Sequence, residues 1–101
     1  MKQINIIEHL PTGSPISRGA LEYLTGCTDR QNRRLIHTAR EQANCLEEYP
    51  VYAACGGYML PATIEQLDYF LALESHRISA ESKPLHNGLK IKRGMLEVAY
   101  G

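Results

Sequence analysis

The chain has 101 residues and a mass of 11.3 kDa, which suits one small domain and leaves no room for a two-domain enzyme. With 44% hydrophobic and 22% charged residues it has the composition of a folded globular protein, and no apolar run approaches the roughly 18 residues of a membrane span. Its 11 basic and 11 acidic side chains cancel, which argues against a nucleic-acid partner, because phosphate-binding domains commonly carry a basic excess.

Ile4, Ile7 and Leu10 recur at a spacing that predicts a short helix of about two turns, closed by Pro11 and Gly13. A brief extended piece follows at Pro15 and Ile16. Ser17 caps a second helix whose apolar members Ala20, Leu21 and Leu24 share one face, and Gly26 supplies its stop. Thr28-Asp29-Arg30-Gln31 reads as a capping box, in which the threonine hydroxyl and the glutamine side chain each satisfy a free amide at the start of a third helix. Asp29 also suits the positive end of that helix's dipole. This helix, running to about Cys45, gathers Leu35, Ile36, Ala39, Ala43 and Leu46 into an apolar stripe at about 100° per residue, with Asn32 on the same side. The opposite arc carries Arg30, Arg34, His37 and Glu41, and Arg33 and Arg40 flank it.

From Val51 to Pro61 the chain is uncharged, rich in aromatic and β-branched residues, and centred on Gly56-Gly57. That predicts a β-hairpin whose two glycines take the positive φ of a tight turn. Thr63-Ile64-Glu65-Gln66 is a second capping box, opening a long helix through Leu67, Phe70, Leu71, Leu73 and Ile78. Glu65, Asp68 and Glu74 are expected along its exposed side. Pro84 interrupts the helical pattern, after which Leu85, Leu89, Ile91, Met95, Leu96 and Val98 resume it despite Gly88 and Gly94. Tyr49, Tyr52, Tyr58 and Tyr69 are expected as core or interface aromatics, since no basic residues interleave with them.

Helix, extended piece, helix, glycine turn, arginine-faced helix, hairpin is the order of a winged helix-turn-helix. The expected fold is therefore α+β and mainly helical, with a short β-hairpin wing: residues 1–62 form the winged helix-turn-helix core and 63–101 a C-terminal helical extension that packs on the core or dimerises. LPTGSPISRGALEYLTGCTDRQNRRLIHTAREQ, followed by GGYMLP and a long helix, resembles the small winged-helix proteins encoded in prophages of Gram-positive bacteria, most of them of unassigned molecular role. The resemblance spans roughly residues 7–80 and is most specific from Leu10 to Leu35 and in the hairpin. It implies likeness in fold to DNA-binding regulators and phage replication-initiation modules. The chain departs from DNA-binding winged helices in its wing, where no Lys or Arg is available for a minor-groove contact.

The neutral total hides segregation: residues 1–16 carry no net charge, 17–45 carry +2, 46–75 carry −5 and 76–101 carry +3. In a helix-turn-helix the second helix enters the major groove, so the arginine-faced helix points to double-stranded DNA as the partner. Arg30, Arg33 and Arg34 present planar two-donor groups suited to phosphate or to guanine O6 and N7, and His37 adds either a backbone contact or nothing. Thr28 opens that helix. Ser17 and Arg18 offer free amides and a cation to a phosphate at the start of the preceding helix. The bland alternative is a solvated face, with Arg34 near Glu41, Arg30 near Asp29, and Ser17 acting only as a cap.

Lys83, Lys90, Lys92 and Arg93 either extend the DNA footprint or solvate a helix whose other face pairs with a second copy. The expected activity is that of a DNA-binding transcription or replication regulator, a homodimer through its C-terminal helices. The alternative is a protein-interaction module on a winged-helix scaffold, docking a partner through the acidic stretch or the C-terminal helix. An enzyme is not expected: His9, His37, His76 and His86 lack HExxH spacing, and neither GxGxxG nor GxxxxGK[ST] occurs. Cys27, Cys45 and Cys55 form neither a disulfide framework nor a CxxC clip and are expected as small buried hydrophobes. No metal or cofactor is expected. The opening MKQINIIEHLPTG lacks a secretory apolar core and cleavage site, so a cytoplasmic protein is expected.

Overall fold

Local capping chemistry sets where the helices begin. In the computed structural model, which describes residues 4–53, 56–77 and 82–100, Ser17 Oγ accepts a hydrogen bond from Ala20 N at 3.1 Å and opens α1 (Arg18–Thr25). Gly26, with φ of 71°, closes it, its N–H donating to Glu22 O. Thr28 and Gln31 form the expected reciprocal capping box at the head of α2 (Asp29–Gln42), at 3.2 Å and 2.8 Å. After a 3-10 turn at Leu46–Glu48 come β1 (Val51–Tyr52) and β2 (Tyr58–Met59), then α3 (Ile64–Arg77) and α4 (Lys83–Tyr100). Thr63 caps α3 by accepting from Gln66 N, but the Gln66 amide oxygen accepts from Ala62 N at 2.7 Å, one residue before the expected partner. Pro84 ends up in the first turn of α4, where its missing N–H costs nothing.

The architecture is mainly helical with one antiparallel two-stranded hairpin, compatible with an α+β fold. Several expectations need correction. The two-turn helix expected from Ile4 is a single 3-10 turn, Ile6–His9, because Pro11 follows too soon for α-helical bonds to repeat. In α1 only Leu21 is buried, while Ala20 and Leu24 are exposed. α2 stops at Gln42, with Ala43 extended (ψ 139°), so Leu46 reaches the core from the following turn and not from the helical stripe. The Asn87 side-chain amide holds that end by donating to Arg40 O at 2.6 Å and Ala43 O at 2.9 Å, satisfying two carbonyls at the end of the helix.

The hairpin pairs Val51 with Met59 and Tyr52 with Tyr58. Its two glycines do different things: Gly56 has the positive φ of 94°, whereas Gly57 is buried against the backbone of Ile16, where a Cβ would lie 2.5 Å from the carbonyl oxygen. That close approach lets Ile16 exchange hydrogen bonds with Tyr58 at 2.8 and 2.9 Å, so the extended piece before α1 is tied to the outer side of β2.

Two apolar clusters fill the interior. Ile6, Leu10, Leu21, Ile36, Tyr58 and Leu60 form one; Leu46, Tyr49, Val51, Leu67, Phe70, Leu71, Leu85 and Ile91 belong to the other, and Tyr52 packs against both. α3 and α4 therefore share a core with the hairpin. The apolar positions that suggested pairing with a second copy, Leu85, Ile91 and Met95, pack within the chain; Leu89 and Leu96 are 37% and 36% exposed. Among the tyrosines, Tyr49 and Tyr58 are buried and Tyr69 is 57% exposed, so of the two places expected for it the core is excluded. Cys27 and Cys45 are half-buried free thiols, less enclosed than expected. Cys55 and Ile78 lie outside the described residues, as do the side chains of His76 and Val98.

Two glycines of α4 give opposite expectations. A Cβ at Gly88 would meet Leu71 Cδ2 at 2.6 Å and Tyr49 Oη at 2.7 Å, whereas one at Gly94 would meet nothing within 4 Å. Urea denaturation of Gly88→Ala should show a loss of about 1–3 kcal/mol from overpacking. Gly94→Ala should gain about 0.5–1 kcal/mol from helix propensity; equal effects would contradict this packing.

Tyr49 supplies a second test. Its hydroxyl donates to Pro84 O at 2.7 Å, and burial raises the phenol from 10.0 to about 12, the nearby Arg40 cation partly opposing the rise. Since the neutral form is the one stabilised by folding, this contribution is complete below pH 10 and is lost as pH rises through about 12. Tyr49→Phe should cost about 1 kcal/mol at pH 8. In chemical denaturation from pH 10 to 12 the variant should lose stability less steeply than the parent protein.

Candidate functional site

The outward face of α2 follows from how the helix is seated. Ile36 and Asn32 are 2% and 1% exposed and point inward, so the residues half a turn away face solvent. Asn32 is structural, as expected: the Thr25 hydroxyl lies 2.9 Å from its Oδ1, and Cys27 N donates to that same hydroxyl. The tripeptide between α1 and α2 is thereby pinned by side chains from both helices.

The sequence-derived site residues divide by what each one touches. Arg30 and Arg34 are exposed, and among the described residues neither has an ion-pair partner. Arg33 folds back on the head of its own helix, its Nε and Nη2 at 3.0 and 2.8 Å from Asp29 Oδ2. His37 Nε2 stands 3.4 Å from Glu41 Oε1. The solvated-face alternative named different pairs, Arg30 with Asp29 and Arg34 with Glu41; the helical i,i+4 spacing selects Arg33 and His37 in their stead. Thr28 is fully engaged in its capping box.

Ser17 and Arg18 border a separate depression. With Pro15, Gly56 and Gly57 they line an open hollow of about 560 Å³ between the head of α1 and the hairpin turn. Arg34 stands instead on the rim of a groove of about 620 Å³ beside α2, with Gln31, Thr38 and Gln42 along the same edge and Leu35, Ala39 and Ile6 among its other walls. Both are open to solvent and lined by few ionisable groups.

Arg40 overturns its expected position. It flanked the exposed arginine arc, yet its guanidinium is buried, 4.6 Å from the Phe70 ring centroid and 5.2 Å from that of Tyr52, with Nε donating to Pro50 O at 2.7 Å. Burial lowers its pKa, a pull opposed by Tyr49, Tyr52 and Glu74, and with an ordinary value of 12.5 the group stays a cation. Glu74, expected on an exposed face, is 3% exposed and electrostatically coupled to this arginine. The sequence did hold a signal: Arg40 stands about 90° from the middle of the apolar stripe, on its boundary, and the hairpin that follows is aromatic and without charge.

No group of three or more His, Cys, Asp or Glu among the described residues is arranged to hold a metal ion. No helix among them is long and apolar enough to cross a membrane. Comparison with family models, curated proteins and solved structures gives no match.

The arginines of one helix should thus answer differently to truncation. Arg40→Ala, which removes the cation beside Glu74 and the Pro50 hydrogen bond, should cost about 3 kcal/mol in urea denaturation. Arg34→Ala should stay within about 0.5 kcal/mol of the parent. Similar losses at the two positions would mean that Arg40 is not the internal brace described here.

Proposed function

We propose that this chain is a winged-helix protein that binds double-stranded DNA, with α2 in the major groove, and that it acts as a regulator of transcription or replication and not as an enzyme. The observation that carries the reading is the pair Arg30 and Arg34: two exposed guanidinium groups one turn apart, without partners among the described residues, near the head of α2, the second of two helices joined by three residues. Three further features support it. The segment before α1 pairs with β2, as the order of a winged helix requires. Arg18 and Ser17 flank a hollow at the head of α1 that is open to a phosphate. The stretch from Leu10 to Leu35 resembles prophage winged-helix proteins.

The uncharged hairpin and the exposed apolar side chains of α1, Tyr23 at 88% and Leu24 at 51%, favour the second reading, a protein-interaction module on the same scaffold. Salt separates the two. With Arg18, Arg30 and Arg34 on phosphates, fluorescence anisotropy with a mixed-sequence duplex should give micromolar affinity at 50 mM salt, falling on the order of 10- to 40-fold by 200 mM. Absence of salt-sensitive binding at tens of micromolar protein would reject DNA and leave the interaction module.

A further inference from the structure

Within the arginine face of α2 the three guanidinium groups are not equivalent, and the difference lies in one carboxylate. Asp29 occupies the first position of α2, where the helix dipole favours a negative charge. Its Oδ2 receives both Nε and Nη2 of Arg33, one turn along, at 3.0 and 2.8 Å. The Asp29 side chain is only 23% exposed while that of Arg33 is 61% exposed, so the carboxylate is the fixed partner and the arginine the movable one. Arg30 and Arg34, on the same helix, have no such tether among the described residues.

We infer that Asp29 is an affinity-limiting residue of the proposed DNA surface: it withdraws Arg33 from the phosphodiester backbone and leaves Arg30 and Arg34 as the contacting cations of α2. The inference rests on the DNA reading given above. A carboxylate at the head of a groove-facing helix occupies donors that would otherwise face phosphate. A protein of zero net charge that held all three arginines free would gain sequence-independent affinity, since each phosphate neutralised adds about 0.9 to the salt slope. Asp29 trades that gain for a smaller set of phosphate contacts, carried on α2 by Arg30 and Arg34.

A double-mutant cycle tests this on the full chain, by anisotropy with a labelled mixed-sequence duplex across a salt series. Asp29→Asn should bind about three- to tenfold more tightly at the lowest salt, with a salt slope steeper by about 1. Arg33→Ala should stay within about twofold of the parent with an unchanged slope, whereas Arg30→Ala with Arg34→Ala should lower the slope by about 2. Asp29→Asn combined with Arg33→Ala should return to the parental value. Glu41→Gln, which makes the same change in net charge on the same face, should not match the gain of Asp29→Asn. The inference is overturned if Arg33→Ala alone loses a full unit of slope, or if the gain of Asp29→Asn survives the loss of Arg33. A parent protein without salt-sensitive binding would overturn the DNA reading itself. Circular dichroism melts of every variant confirm that folded proteins are compared.

Discussion

A single cation, the Arg40 guanidinium, decides how the halves of this small protein meet. It leaves the end of α2, donates to the carbonyl of Pro50 just ahead of β1, and lies against the rings of Phe70 on α3 and Tyr52 on β1. Three segments of the chain are therefore oriented by one planar group whose delocalised charge tolerates burial among aromatic faces better than an ammonium would. Such a brace is costly in isolation, because a buried charge must be compensated on all sides. Glu74 and the ring quadrupoles of Tyr52 and Phe70 supply part of the compensation, while Nη2 is buried without a hydrogen-bond partner among the described residues.

With Arg40 turned inward, the buried side of α2 is wider than its apolar residues alone define, and the outward arc is correspondingly narrower. What remains outside is graded along the helix: Arg30 and Arg34 toward the head, Glu41 toward the tail. The acidic stretch that cancels the basic ones in the total is partly engaged within the chain, Asp68 with Lys92 of α4 at the surface and Glu74 beside Arg40 in the interior. Neutrality of the whole chain thus coexists with a cationic end on one helix, and the opposition between net charge and local charge is resolved by geometry.

Helix starts were legible in the sequence because capping is local: Ser17, Thr28 and Gln31 make their bonds within three residues, so spacing alone reveals them. The inward turn of Asn32 followed from periodicity in the same way. What the sequence concealed depends on contacts between distant segments. The end of α2 is set by Asn87, more than forty residues away, and no local signal distinguishes Ala43 as extended. The different duties of Gly56 and Gly57 come from the approach of Ile16. Arg40 and Glu74 were misread for a related reason: a helical wheel treats every charged residue as outward-facing, whereas a cation beside aromatics and a buried carboxyl answers to its neighbours. In the candidate site, the outward placement of Arg30, Arg33, Arg34 and His37 was readable, but the pairing among them was not, since Asp29 could reach either Arg30 or Arg33 until side-chain geometry chose the latter.

Asn87 is followed directly by Gly88, the dipeptide in which a flexible backbone most readily lets the following amide nitrogen attack the side-chain carbonyl and expel ammonia. In the native protein that reaction is held back twice: the helix keeps the attacking nitrogen out of line, and the side-chain amide is engaged by the carbonyls of Arg40 and Ala43 at the end of α2. The unfolded chain has neither protection. A molecule that aged while unfolded would, once water opened the resulting cyclic imide, carry a carboxylate where the amide had been, and the two hydrogen bonds that hold the end of α2 would give way to negative charge facing two carbonyl oxygens. The position that ends one helix is therefore also a chemical clock, one that runs only while the protein is unfolded.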